Sequence, residues 1–165
     1  MARFLDVIDV SMPLTGAFEY LVDFCHCADW DPGVVEARRV DSGPLGVGSR
    51  FALVVAFLGR RVPMHYTLEA HEPPHRILLR GTASGVESID EITLVPRSDG
   101  TRITYDARVE LAGVARLADP LLGLVFQRTG AAAARGLRER MEALATGSRS
   151  APRSLGRDKR AGAGS

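Results

Sequence analysis

The spacing of apolar positions changes period three times along the chain. Residues 3–11 carry Phe4, Val7, Ile8 and Val10 among charged neighbours and predict a strand. Ser11-Met12-Pro13 then starts a helix, because proline is favoured in a first turn. Leu14, Phe18, Leu21, Val22 and Cys25 follow at spacings of three and four, an amphipathic stripe. Asp23 is placed to cap a second short helix reaching Trp30, and Pro32-Gly33 closes it. From Val34 the period is two, predicting strands over 34–41, 47–58, 61–72, 75–84, 86–96 and 101–111. Two of them alternate strictly: Val62, Met64, Tyr66, Leu68 and Ala70 with polar partners, and Ile103, Tyr105, Ala107, Val109 and Leu111 likewise. Six consecutive strands joined by short turns make an antiparallel meander. After Ala112-Gly113 the helical period returns, and Leu122, Phe126, Gly130, Ala133, Leu137, Met141 and Leu144 mark the buried face of a helix from Pro120 to Ala145.

A sheet with one apolar face needs a cover, and the chain has one long amphipathic helix to supply it. The fold class is therefore α+β. The opening VIDVSMPLTGAFEYLVDFCHCADWDPGV, the hairpin ITLVPRSDGTRITYDARVEL and the final helix, in that order, resemble the helix-grip SRPBCC superfamily, which includes START-related lipid-transfer domains, pollen-allergen-like proteins and polyketide cyclases. The nearest subgroup is the bacterial polyketide cyclase/dehydrase-like proteins, and the resemblance covers residues 3–146. It implies a curved antiparallel sheet of about seven strands wrapped around a long C-terminal helix, with two short helices after strand 1. It also implies a cavity between sheet and helix, with Trp30 of a Trp-x-Pro corner over its mouth and Asp29 and Asp31 capping or solvating that corner. Cyclases of the family hold a poly-carbonyl chain with polar groups deep in the pocket, which makes Tyr66 and Tyr105 the carried-over candidates.

Length and composition narrow the picture. The 165 residues, 45% hydrophobic and 25% charged, describe one ordinary globular domain. No apolar run approaches the ~20 residues of a membrane span, so no integral membrane association is expected. The first residues alternate with charges and lack a signal peptide's apolar block, which points to the cytoplasm and to reduced cysteines. Lys159 is the only lysine beside 20 arginines, a bias resembling a GC-rich, for example actinobacterial, genome. Residues 147–165 carry a net charge of +4 in a Gly/Ser/Ala/Pro/Arg composition that cannot bury enough surface to fold. The domain boundaries follow: residues 1–146 form the ligand-binding domain and 147–165 a disordered basic tail. About −3 then remains on the folded part, which argues against a nucleic-acid partner.

Cys25-His26-Cys27 offers soft ligands, yet no second ligand pair stands elsewhere, and His65, His71 and His75 have no paired cysteines. No metal is expected; Cys25 belongs to the core and His26 to the surface. No nucleophile elbow, phosphate loop or dinucleotide fingerprint occurs, so no cofactor is expected either. The stronger signal is a void. Small residues from Gly130 to Ala134 in mid-helix face Gly81, Ala83 and Ala107 on the sheet. The expected ligand-binding residues are Trp30, Phe51, Leu53, Val55, Phe57, Met64, Tyr66, Leu68, Leu79, Gly81, Tyr105, Phe126 and Gly130, with Ile77 beside them.

The phase of strand 86–96 is ambiguous: Ile92 and Leu94 facing in brings Asp90, whereas Ile89 and Val95 facing in brings Glu91. Arg80 and Arg108 are expected outside, leaving no inward arginine. Three functions follow. The first is non-catalytic binding or carriage of a small hydrophobic molecule, lipid or polyketide-like. The second is an aromatase/cyclase-like acid–base enzyme using Tyr66, Tyr105 and Asp90 or Glu91. The third is an accessory protein acting through its surface. An apolar lining with fewer than two buried polar groups favours the first, converging carboxyl and phenols the second, and a filled cavity the third.

Overall fold

The structure, a computed structural model, describes residues 1–57, 59–111 and 119–149. Strand β1 (Ala2–Val10) leads through helix α1 (Leu14–Val22) and a 3-10 turn (Phe24–His26) into the short helix α2 (Cys27–Trp30). Strands β2 (Val34–Arg39), β3 (Arg50–Phe57), β4 (Arg60–Glu72), β5 (Arg76–Ala83), β6 (Val86–Arg97) and β7 (Gly100–Leu111) follow, and helix α3 (Asp119–Arg149) comes last. All pairings are antiparallel in the order β1-β7-β6-β5-β4-β3-β2, a seven-stranded sheet in which β1 returns beside the last strand. This is the expected α+β helix-grip. Helix α3 runs to Arg149, four residues beyond the expected Ala145. The side chain of Leu122, Leu58 at the end of the expected strand 47–58, and residues 150–165 of the expected tail lie outside the described residues.

Two phase changes correct the sequence reading. Helix α1 ends at Val22, and Asp23, in extended backbone, accepts a hydrogen bond from the Cys25 amide to cap the 3-10 turn at 3.1 Å. The restart breaks the 3.6 period, so Phe24 and Cys27 are buried while Cys25, expected in the core, is only half-buried. In β4 the register against β5 slips between Leu68 and Ala70. A bulge shifts the alternation by one, and His71, expected on the polar face with His65, stacks on Phe18 of α1 at 5.5 Å. On β1 the alternation is regular: Phe4, Ile8 and Val10 are buried, and Val7, expected in the apolar cluster, faces out.

The sheet's closed end is a packed core of Leu68, Ile77, Leu79, Ile92, Leu94 and Ile103, joined by Met141 of α3 and Leu21 of α1. Toward the other end the layers separate. Backbone approaches of α3 concentrate on β1 and on α2, and none of comparable closeness links it to β3, β4, β5 or β6. The α2–α3 contact needs glycine, since a Cβ at Gly136 would collide with the Trp30 carbonyl oxygen. Pinned at these edges, the helix spans the concave sheet without filling it.

Candidate functional site

The gap is a cavity of about 180 Å3 walled by β1, β3, β4, β6, β7, the α2 corner and α3. Its rim lies where Ala56, Phe57, Val62, Val86, Val109 and Leu111 keep some exposure, at the ends of β3, β4, β6 and β7. Of the residues expected to line it, Trp30, Leu53, Val55, Phe57, Met64, Tyr66, Tyr105, Phe126 and Gly130 do. Phe51, Leu68, Leu79 and Ile77 do not; they are fully enclosed in the packed end, where α1 joins α3 over the sheet. Gly81 is also absent from the wall. It stands opposite Tyr66 in the β4–β5 register, and a Cβ there would meet the Tyr66 ring at 2.5 Å. Gly130 borders the cavity, yet the place of its missing Cβ is likewise occupied, by the Phe4 ring. The two glycines are sockets for rings, not the origin of the void.

Strand β6 resolves its phase in favour of Ile92 and Leu94 inside, which turns Ser88 and Asp90 into the cavity. Glu91 points outward, where its carboxylate accepts from Arg76 Nε at 2.8 Å. Asp90 is only 6% exposed. Its two oxygens are each engaged: the Tyr105 hydroxyl donates to Oδ1 at 3.0 Å and the Ser88 hydroxyl to Oδ2 at 2.9 Å. The Tyr66 phenol, from two strands away, also interacts with Ser88 and Asp90. Burial pushes the Asp90 carboxyl up to about 6 against the opposing pull of these donors, and the nearby charge of Asp31 adds to the rise. The same burial, with Asp90 beside them, holds both Tyr66 and Tyr105 well above the ordinary phenol range.

The α2 corner contributes more than a cap. Trp30 is buried and stands edge-on to Tyr105 with ring centres 6.0 Å apart, forming a wall and not a cover over the mouth. Asp31 Oδ1 accepts from the Gly33 amide at 2.7 Å, and its carboxyl borders the cavity, where burial lifts it to about 6. Asp29 faces the surface, near the Tyr20 hydroxyl and Arg140. Cys27 forms part of the cavity wall, and burial raises its thiol far above the ordinary range; Cys25 rises to about 11. His26 stacks on Tyr20 and donates through Nδ1 to the Tyr20 carbonyl oxygen at 2.8 Å. The three adjacent soft-ligand residues thus diverge, and no group of three or more His, Cys, Asp or Glu is arranged for a metal among the described residues.

Asp31, Cys27 and Ser88 are polar wall residues that sequence reasoning missed, beside apolar ones such as Phe4, Ile8 and Leu137. Ser88 shared the inward phase with Asp90, so resolving one would have found the other. Asp31 and Cys27 follow a broken helix, whose phase no periodicity carries across.

A curved sheet gripping a helix around an apolar chamber with a few polar groups defines a helix-grip protein with a cavity. Residues 1–145 match the family described as Polyketide cyclase / dehydrase and lipid transport, and the chain belongs to that family, within the SRPBCC superfamily. No curated protein matches the sequence. Solved structures match the fold. The protein TTHA0849 from Thermus thermophilus superposes with a TM-score of 0.71 at 18% identity, covering 87% of this chain and 97% of that one. A START superfamily protein from Mycobacterium smegmatis gives 0.70 at 16% identity, covering 87% and 99%. The Zhui aromatase/cyclase from Streptomyces sp. R1128 gives 0.67 at 19% identity, covering 85% and 93%. At these identities the likeness is one of fold. Among the described residues no helix is long and apolar enough to cross a membrane.

Proposed function

We propose that the protein binds a small, mostly apolar molecule bearing at least one polar group in the cavity between sheet and α3, with Asp90, Tyr105 and Tyr66 meeting that group. The observation that carries this reading is the chamber itself: apolar walls converging on one buried carboxyl–phenol cluster. Such a balance of many apolar and few polar groups is typical of small-molecule sites. The third reading, a vestigial pocket, loses support because the cavity is not filled by side chains. The test is uptake of an apolar fluorescent dye small enough for a chamber of about 180 Å3, such as naphthalene. The wild-type protein takes up one dye per chain, and Ala133→Leu, on the α3 wall, abolishes uptake while leaving the circular dichroism spectrum unchanged. No uptake by the wild type, or full uptake by the variant, removes the proposal.

A second reading, acid–base catalysis on a carbonyl compound, is favoured by the convergence of a carboxyl with two phenols, the feature that separates an enzyme from a passive carrier. A carboxyl near 6 is a base at neutral pH and a usable acid once protonated. In a cyclisation, the Asp90 carboxylate would take a proton from the carbon between two carbonyls, and a phenol would donate to the enolate oxygen. The enolate carbon would then bond to a second carbonyl carbon, whose oxygen would receive the proton back from Asp90. The family description and the aromatase/cyclase of like fold support this direction. Turnover of a poly-carbonyl substrate that Asp90→Asn abolishes, with dye uptake retained, is the result expected of it.

A further inference from the structure

The chain places 20 arginines and one lysine, yet the cavity wall holds none of them among the described residues. It does hold two carboxyl groups, Asp90 from β6 and Asp31 from the α2 corner, close enough for the Asp31 charge to act on Asp90. On the sheet's outer face the carboxylates are treated differently. Glu91 pairs with Arg76 at 2.8 Å, Glu69 with Arg80 at 2.6 Å, Asp106 with Arg3 at 2.8 Å and Asp9 with Arg102 at 2.7 Å. Asp90 and Asp31 have no cationic partner among the described residues; their hydrogen bonds come from Ser88, Tyr105 and the Gly33 amide. Asp90 is buried and Asp31 half-buried, and a charge withdrawn from water requires a counter-charge. In the free protein a proton can serve, and both carboxyls are held where a proton is bound and released close to neutrality.

The remaining groups facing Asp90 are uncharged. Tyr66 from β4 and Tyr105 from β7 keep their protons, as does the Cys27 thiol from α2. Helix α3 offers Thr129, whose hydroxyl donates to the Val125 carbonyl oxygen, and otherwise apolar residues; β1 offers Phe4 and Ile8. Trp30, Tyr105, Tyr66 and Phe24 present aromatic surface to the same chamber, with Phe24 and Tyr66 ring centres 5.0 Å apart. Aromatic faces beside unpaired carboxyls form the environment in which an ammonium group is held by charge, hydrogen bonds and cation–π attraction together.

We propose that the cavity's preferred ligands are protonated amines on a compact apolar body, and that it rejects carboxylates of the same size. The inference rests on the ligand-cavity reading above and adds the sign of the ligand's charge. A carboxylate ligand would bring a third negative group into a chamber without a cation. An ammonium ligand replaces the proton that Asp90 or Asp31 carries when the site is empty, so binding tightens as pH rises through about 6 and releases a proton below that.

The test uses three probes with one body: 2-phenylethylamine, 2-phenylethanol and phenylacetate. A dry cavity of about 150 Å3 holds a benzene ring, so this series suits a chamber of about 180 Å3. Calorimetry at pH 7.5 is expected to rank the amine about tenfold tighter than the alcohol, in line with a charged over a neutral hydrogen bond, and to detect no binding of phenylacetate. At pH 5 the amine's advantage should shrink. In Asp90→Asn the amine should bind no tighter than the alcohol, while naphthalene, which needs no polar contact, still enters and shows that the variant's cavity is intact. Equal affinities for all three probes, or phenylacetate binding as tightly as the amine, overturns the inference and leaves the cavity reading standing. Naphthalene uptake with none of the three probes bound has the same meaning. Failure of naphthalene as well overturns the cavity reading beneath it.

Discussion

Replacing Asp90 by asparagine should make the protein more stable, by an amount that grows between pH 4 and 6 and is complete above pH 6. A carboxyl raised from its ordinary 3.8 to about 6 costs the folded state about 3 kcal/mol once it ionises. The sign follows from where the proton sits. Below pH 4 the group is protonated in both folded and unfolded chains and contributes nothing. Between 4 and 6 the unfolded chain ionises while the folded protein holds its proton, so stability falls as pH rises. Above 6 the penalty is complete. Asparagine cannot ionise and escapes it. The amide keeps one acceptor oxygen for Tyr105 but presents N–H to Ser88, whose hydroxyl must turn to accept. That rearrangement costs about 1 kcal/mol.

The net gain at pH 8 is therefore about 2 kcal/mol, or roughly 4–8 °C in melting temperature for a domain of this size. Paired thermal melts of variant and wild type from pH 4 to 8 at fixed ionic strength measure it. Outer carboxylates such as Asp41, held down at about 2 by Arg39, also make stability depend on pH, but they are common to both proteins and cancel in the difference. A variant that melts below wild type at pH 8 would refute the reasoning, as would a difference that does not change between pH 4 and 8. Because the Asp31 charge helps lift Asp90, Asp31→Asn should shrink the same pH effect.

Gly81→Ala pushes a methyl against the buried Tyr66 ring and should cost about 1–3 kcal/mol, read as a lower melting temperature; an unchanged melt would mean the ring has room to move. Gly130→Ala gains about 1 kcal/mol of helix propensity but displaces the Phe4 ring, so it should be neutral to destabilising in wild type and stabilising in a Phe4→Ala background. The same sign in both backgrounds argues against the socket. Iodoacetamide at pH 7.5 should modify Cys25 slowly and Cys27 only in denaturant, since burial keeps both thiols protonated; rapid labelling of Cys27 in the native protein contradicts its placement.

Element order, strand pairing and the gripping helix were legible because each rests on an uninterrupted period: two for the strands from Val34 onward, 3.6 for α3. What was not legible lies where a period is interrupted. The 3-10 turn at Phe24–His26 exchanged the roles of Cys25 and Cys27, and the bulge near Leu68 turned His71 inward. The phase of β6 was undecided from its own residues because apolar side chains occupy both faces; Val95 on the outer face remains half-exposed. Its neighbours decide it. Arg76 and Arg108 stand on the outer face beside Glu91, and with Glu91 turned toward them Ile92 and Leu94 fall in the core, where both are buried.

The glycines carry a further lesson about voids. Small residues on facing elements suggested empty space at Gly81 and Gly130, and a cavity is present, but its cause is different. At both positions the volume that a methyl would take is filled by a ring from across the layer, Tyr66 or Phe4. Small residues chosen for close packing leave no cavity; space survives only where backbones are held apart. Here α3 is fastened to β1 and to α2, the latter through Gly136, and stands off from the middle of a curved sheet. Glycine therefore sets the chamber's shape by letting α2 approach α3 and by seating Tyr66 where its phenol reaches the Ser88–Asp90 pair. The cavity's polar end is built from such close fits, and its emptiness from the helix's anchoring. A substitution at a socket should consequently move the phenol and the pH behaviour of Asp90 before it changes the volume available to a ligand.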